Sequence, residues 1–209
     1  ALMTGITRVS RESIFSDFNN PEVVTTTSEK YEDSFGFTQE EVWESLKEYD
    51  LYEERENVRV WYDGFTFGRK RDVYNPWSIL NYLGKREFAS YWANTSSNSL
   101  VGKLIREGSA DVKVTMEDLL AGGTLHTKID EQIVYNQLDS GEGAVWSMLL
   151  ASGYLRVESC EFNKRGKPEY DLKLTNQEVH VMFEDMINSW FQMPASAYNA
   201  FIRALLSGD

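Results

Sequence analysis

Residues 61–97 read WYDGFTFGRKRDVYNPWSILNYLGKREFASYWANTSS, and their turn chemistry sets the architecture of everything around them. The stretch holds three of the six tryptophans and four tyrosines, far more aromatic surface than a plain helical spacer needs. Asp63-Gly64 stops a charged helical segment over about residues 53–62, whose inward edge is expected to be Val58, Trp61 and Tyr62, with the glycine as a left-handed stop. Phe65-Thr66-Phe67 and Asp72-Val73-Tyr74 flank Gly68-Arg69-Lys70-Arg71, which predicts a short hairpin with a basic tip. Asn75 then fits an N-cap and Pro76 the first helical position, where its missing N–H costs nothing. The helix they open is expected to carry Trp77, Leu80, Tyr82 and Leu83 and to stop at Gly84. Tyr91-Trp92-Ala93 reads as a short extended piece. Asn94, Thr95 and Ser96 offer caps for a helix bearing Leu100, Val101, Leu104 and Ile105.

On the N-terminal side, Thr38 and Glu41 form a capping box ahead of Val42, Trp43, Leu46 and Tyr49 at helical spacing. Val23 to Thr27 is a β-branched strand candidate, Ser10 caps a short helix through Phe15, and Ala1 to Thr4 reads as the end of a buried strand in a longer chain. On the C-terminal side, Thr115 starts a short helix stopped by Gly122-Gly123. Leu125 to Ile129 alternates like a strand, and Asp130 to Leu138 is irregular. The apolar run AVWSMLLAS, residues 144–152, predicts a buried helix ending at Gly153. Strands from Tyr154 to Glu161 and from Glu169 to Leu174 follow. Thr175 and Glu178 read as a second capping box, opening a helix that buries Val179, Met182, Phe183, Met186, Ile187 and Trp190, and a last amphipathic helix covers Ala195 to Leu206. The expected fold is mainly α with small β hairpins, a helical lid followed by a winged-helix-like module. Its expected divisions are residues 1–36, 37–138 and 139–209.

A net charge of −12 sets the surface field against phosphate backbones and anionic membranes. Nucleic-acid binding would need a local basic patch, and the longest candidate on the C-terminal hairpin is Lys164, Arg165 and Lys167. A solvated loop explains the same letters. The single cysteine, Cys160, excludes an intrachain disulfide and suits a reducing cytoplasm; in a strand it reads as a buried structural thiol. Only His126 and His180 are available for zinc, without ligand spacing. No apolar run approaches the roughly 18 residues of a membrane helix.

The search for catalytic chemistry is mostly negative. Gly64 to Lys70, GFTFGRK, lacks both the spacing of a P-loop and the hydroxyl after its lysine, so ATP hydrolysis is not expected of this chain by itself. Asp171-Leu172-Lys173 matches half of a metal-dependent nuclease site, but the partner acid would have to be Glu158 or Glu161, and the wet face of an alternating strand accounts for it better. No catalytic or metal-binding residue is expected in this chain.

Several short motifs fall in one order: Thr4-Gly5-Ile6-Thr7-Arg8, Arg11 to Ser16, Asn19-Asn20, Phe35-Gly36-Phe37-Thr38, Trp61-Tyr62-Asp63-Gly64-Phe65, Phe67-Gly68, Tyr74-Asn75-Pro76-Trp77-Ser78, Tyr91 to Ser96, Ile129-Asp130-Glu131 and Ser152 to Leu155. Together they resemble the prokaryotic AAA-ATPase-like family, in which a PD-(D/E)XK nuclease-like domain usually follows the ATPase-like region. The resemblance implies that a P-loop core precedes this chain and the nuclease-like domain follows it, both as partners within one longer protein that uses ATP and Mg. It implies that Thr4 and Arg8 face the nucleotide, although Arg8 would equally pair with Glu12, and that Asn75-Pro76 starts a helix beside the adenine, although a plain N-cap has the same local form. Asp63, Gly64, Trp77, Asn94 and Ser96 would then be the turns that hold the lid together.

Overall fold

A computed structural model of the chain describes residues 22, 24, 27–93, 98–129 and 142–191. Among them are seven α-helices and two small antiparallel sheets of three strands each, a mixed α/β architecture. The expectations for residues 1–21, the strand at Val23 to Thr27, the caps at Asn94 and Ser96, the segment from Asp130 to Leu138 and the helix from Ala195 fall outside the described residues in whole or in large part.

The first half is a helical layer closed by a hairpin. Strand β1 (Phe37–Thr38) leads into α1 (Gln39–Glu48), where Thr38 accepts from Glu41 N and Glu41 reaches back to Thr38 N, completing the capping box. Val42 and Leu46 face inward from α1, four residues apart on one stripe. A 3-10 turn at Tyr52–Glu54 feeds α2 (Arg55–Tyr62), which buries Val58 and Tyr62. Helix α2 ends differently from the expected left-handed stop: Asp63 is extended (φ −77°) and Gly64 sits at φ +116°. A side chain at Gly64 would also collide with the carbonyl of Thr175, so this position takes glycine for space as well as for backbone geometry.

Strands β2 (Phe65–Phe67) and β3 (Lys70–Tyr74) form the expected hairpin, and β1 adds to it in the order β1-β3-β2. Helix α3 (Pro76–Lys85) starts at Asn75 as read, but its inward face is Ser78, Ile79, Tyr82 and Leu83. Of the apolar residues expected on this helix, Trp77 and Leu80 are 54% and 57% exposed, because it is Ile79, Tyr82 and Leu83 that pack with Val58 and Tyr62 of α2 and Tyr74 of β3. Gly84 does not stop it; the helix runs one residue further and ends at Arg86 in the left-handed region. Tyr91 to Ala93 is a bend and turn rather than the expected extended piece.

The second half opens with α4 (Ser99–Glu107) and α5 (Ala110–Leu120). Helix α5 begins five residues before the expected start at Thr115, since Ser109 accepts from Val112 N and caps it there. Strand β4 (Leu125–Thr127), α6 (Glu142–Ala151), β5 (Leu155–Phe162), β6 (Pro168–Leu174) and α7 (Gln177–Phe191) complete the order. Beyond the expected hairpin β5-β6, β4 pairs with β6, giving β4-β6-β5. Helix α6 is apolar nearly all round, as a helix packed on several sides must be, and Val145, Trp146, Leu149 and Leu150 are buried.

The apolar core divides into two clusters. Val42, Leu46, Val58, Tyr62, Tyr74, Ile79, Tyr82 and Leu83 form one, and Ala93 onward through Phe183 supplies the other. Helices α4 and α5 and strand β4 therefore share a core with α6, β5, β6 and α7, and the two apolar clusters part near residue 92.

Candidate functional site

The stretch from Trp61 to Ala93 is fastened to the second half through one buried carboxylate. Asn75 Oδ1 accepts from Trp77 N at 2.9 Å and Ser78 N at 3.3 Å, and this cap fixes the start of α3 so that Ser78 points inward. Ser78 Oγ donates to Glu178 Oε2 at 2.8 Å. The other oxygen, Glu178 Oε1, accepts from Trp92 N at 2.6 Å and Ala93 N at 3.3 Å. Ser90 Oγ donates to the main-chain oxygen of Glu178 at 2.9 Å. Glu178 is 0% exposed. Burial raises its carboxyl above the ordinary glutamate range, against the pull of the donors from Ser78, Trp92 and Ala93.

The expected capping box at the start of α7 is not formed. Thr175 Oγ1 donates instead to Gly153 O at 2.7 Å, and Asn176 Oδ1 takes the cap by accepting from Val179 N at 3.1 Å. The sequence letters Thr175 and Glu178 have the box spacing, yet the carboxylate is claimed by donors from residues about 85 to 100 positions away in the chain. A Thr-x-x-Glu pattern gives no signal for that, so Glu178 and Ser78 are functional neighbours that local spacing cannot find.

Asp63 forms a second polar node. It is buried, accepts from Gly64 N at 2.6 Å, and lies 3.5 Å from Arg59 Nε, while Asp72 Oδ1 lies 3.7 Å from Arg59 Nη2. Burial and then the neighbouring Asp72 charge push the Asp63 carboxyl up to about 6. Asp72 itself sits at φ +58° in β3. Asp63 and Gly64 form the turn between α2 and β2.

Of the residues expected to approach a nucleotide, Asn75 and Pro76 stand half-buried at the start of α3 with Trp77 and Leu80 exposed beside them. Thr4 and Arg8 lie outside the described residues, as do Asn94 and Ser96. No three His, Cys, Asp or Glu side chains gather to hold a metal ion among the described residues. Asp171 and Glu169 are engaged by hydrogen bonds: Asp171 with His126 Nδ1 at 2.8 Å and Ser159 Oγ at 2.6 Å, Glu169 with Asn163 Nδ2 at 2.9 Å.

Lys164, Arg165 and Lys167 project from the β5-β6 turn, which Asn163 organises by accepting from Arg165 N at 2.9 Å and Lys167 N at 3.1 Å. All three are exposed, and Phe162 at the end of β5 is 73% exposed beside them. Cys160 is exposed, correcting the expectation of a buried thiol: it sits near the free end of the hairpin, beyond the residues that α6 and α7 cover. The other basic turn is not a free patch, since Arg69 pairs with Glu29 at 2.8 Å and Arg71 donates to Glu158 O at 2.8 Å. Among the described residues no helix is long and apolar enough to cross a membrane.

No family model matches the chain, and no solved structure matches it. An uncharacterised protein encoded in the vnfD 5' region of Azotobacter chroococcum mcd 1 is 25% identical over 197 residues, which are 94% of this chain and 36% of that relative. The chain thus spans about a third of the length of a curated protein whose own role carries no description.

Proposed function

We propose that this chain is the lid and winged-helix-like portion of an AAA-like ATPase, closing over a nucleotide held by a P-loop core elsewhere in the same longer protein. The observation that carries the reading is the ordered series of motifs from Thr4-Gly5 to Gly153-Tyr154 that resembles the prokaryotic AAA-ATPase-like family, together with the absence of any P-loop spacing among these residues. The geometry supports it at one place above all: Asn75 and Pro76 form a half-buried, capped helix start, with Trp77 exposed in the first turn and Leu80 exposed just after it. The strand order β4-β6-β5, with β4 preceding α6 and the β5-β6 hairpin, supports the winged-helix-like part. ATP and Mg would be bound by the whole protein, with Thr4, Arg8, Asn75 and Pro76 approaching the nucleotide.

Calorimetry tests the division of labour. ATP with Mg should bind the longer protein in the micromolar range and this chain no more tightly than about millimolar. Trp77→Ala combined with Leu80→Ala should weaken binding to the longer protein by about tenfold while leaving the melting temperature of this chain unchanged within a degree or two. Micromolar ATP binding by this chain alone would overturn the reading.

A second reading has its own observation: Phe162 stands exposed beside Lys164, Arg165 and Lys167 at the tip of the hairpin, an arrangement that fits a base stacked on an aromatic and phosphates on cations. Neutralising the three cations should abolish any salt-dependent binding to DNA. No binding by the native chain at about 50 mM salt removes this reading.

A further inference from the structure

A cleft of about 210 Å³ opens where the end of α5 meets the start of α7, lined by Leu119, Gly122, Arg156, Lys173, Asn176 and His180 among others. Its floor is unusual in charge. Arg156 on β5 and Lys173 on β6 are directly paired across the sheet, two cations in register where like charges ordinarily repel and cost stability. Glu158 is a partial offset, 3.5 Å from Arg156 Nη2.

Two donors at this cleft are left without use. Arg156 Nε and Asn176 Nδ2 are buried and have no hydrogen-bond partner, a state that costs free energy for each group. Asn176 spends its oxygen on capping α7, which directs that helix's N-terminal end, with its partial positive charge and spare N–H groups, toward the same region. His180 Nε2 donates to Leu120 O at 2.9 Å, while its buried Nδ1, 3.4 Å from Glu184, makes no hydrogen bond. Register-paired cations, two unused buried donors and a helix start together call for an acceptor that is anionic, compact and able to take several hydrogen bonds.

We propose that this cleft binds the phosphoryl group of a phosphate-bearing small molecule between Arg156 and Lys173 at the start of α7. Arg156 supplies a planar pair of donors, Lys173 a point charge and Asn176 an amide N–H, a set suited to a tetrahedral oxyanion. The cleft's lining does not include Asn75 or Pro76, and the proposal does not rest on the lid reading; weak phosphoryl binding here is compatible with the millimolar limit set above for ATP.

Titration of this chain with inorganic phosphate, followed by amide chemical shifts at fixed ionic strength, tests the assignment. Saturable shifts are expected at Arg156, Lys173, Asn176 and Gln177. Arg156→Gln and Lys173→Gln should each weaken binding at least tenfold, whereas neutralising Lys164, Arg165 and Lys167 together should change it less than twofold. Melting in phosphate against chloride gives a second measure: phosphate should raise the melting temperature of the native chain and of the Lys164/Arg165/Lys167 variant, but not that of Lys173→Gln. If AMP binds tighter than phosphate, the ligand is an organic phosphate; if sulfate and phosphate bind alike and AMP does not bind, the organic-phosphate assignment is wrong. Absence of saturable shifts, or shifts unaltered by both single variants, overturns the proposal.

Discussion

Glu178 is the residue on which the link between the two halves depends, because three donors from three separate positions converge on one carboxylate that is fully buried. Glu178→Ala leaves Ser78 Oγ and the N–H groups of Trp92 and Ala93 unpaired in a dry site, and should cost about 3 kcal/mol in chemical denaturation. Glu178→Gln keeps an acceptor for the two N–H groups and should cost about 1 kcal/mol. Asp63 gives the pH prediction. Its folded carboxyl titrates near 6 against an ordinary value of 3.8, so the folded chain holds that proton more tightly than the unfolded one. The associated stability is therefore full below the ordinary value and lost as pH rises through about 6. Glu178 shifts in the same direction. Relative to Asp63→Asn, the native chain should lose melting temperature between pH 4 and pH 7; a constant difference across that window would show that Asp63 is not held protonated by its site.

At the scale of elements, two turns bear most of the positional burden. Asn75 caps α3 with two hydrogen bonds and so decides which stripe faces the core, placing Ser78 inward and Trp77 outward. Asn75→Ala should cost about 1 kcal/mol and lower the melting temperature by about 2–4 °C. Gly64 is more restrictive, since its backbone lies at φ +116° and any Cβ would strike the Thr175 carbonyl. Gly64→Ala should destabilise by about 3 kcal/mol, read as a fall in denaturation midpoint, because the α2-β2 turn and the β6-α7 junction would have to separate. Strands β5 and β6 form the longest ladder among the described residues, and β4 adds to the free side of β6 through the pairs Leu125 with Leu172 and Thr127 with Tyr170.

Over the whole molecule, Trp92, packed against the second cluster, joins it to the first-half hairpin: its ring lies edge-on to Phe65 of β2 at 5.4 Å and beside Tyr154 at 5.4 Å. With the Glu178 node, this contact makes the halves unfold together: the native chain should melt in one transition, and Glu178→Ala should split it into two or broaden it visibly in calorimetry. The aromatic stretch that opens the chain's central region is therefore both a fastening to the second half, through Ser78, Ser90 and Trp92, and an exposed face, through Trp77 and Leu80. Lid motion of the kind proposed would have to keep the Glu178 hydrogen bonds or exchange them; if they are kept, the two clusters would move as a unit.

The sequence by itself determined the local punctuation. Thr38 with Glu41, Asn75 with Pro76, the hairpin between Phe65 and Tyr74, the buried helix of residues 144–151 and the strands on either side of Asn163 all follow from chemistry within a few residues, where capping, turn geometry and side-chain period act directly. Tertiary structure alone decided the rest. Which stripe of α3 is buried, the start of α5 at Ser109, the pairing of β1 with β3 and β4 with β6, and the capture of Glu178 from its expected cap all depend on partners distant in the chain. Arg156 and Lys173 are 17 residues apart in sequence and become neighbours only because the β5-β6 ladder sets them in register. A local pattern records what a residue is able to do, and packing against remote surfaces selects which of those options is realised.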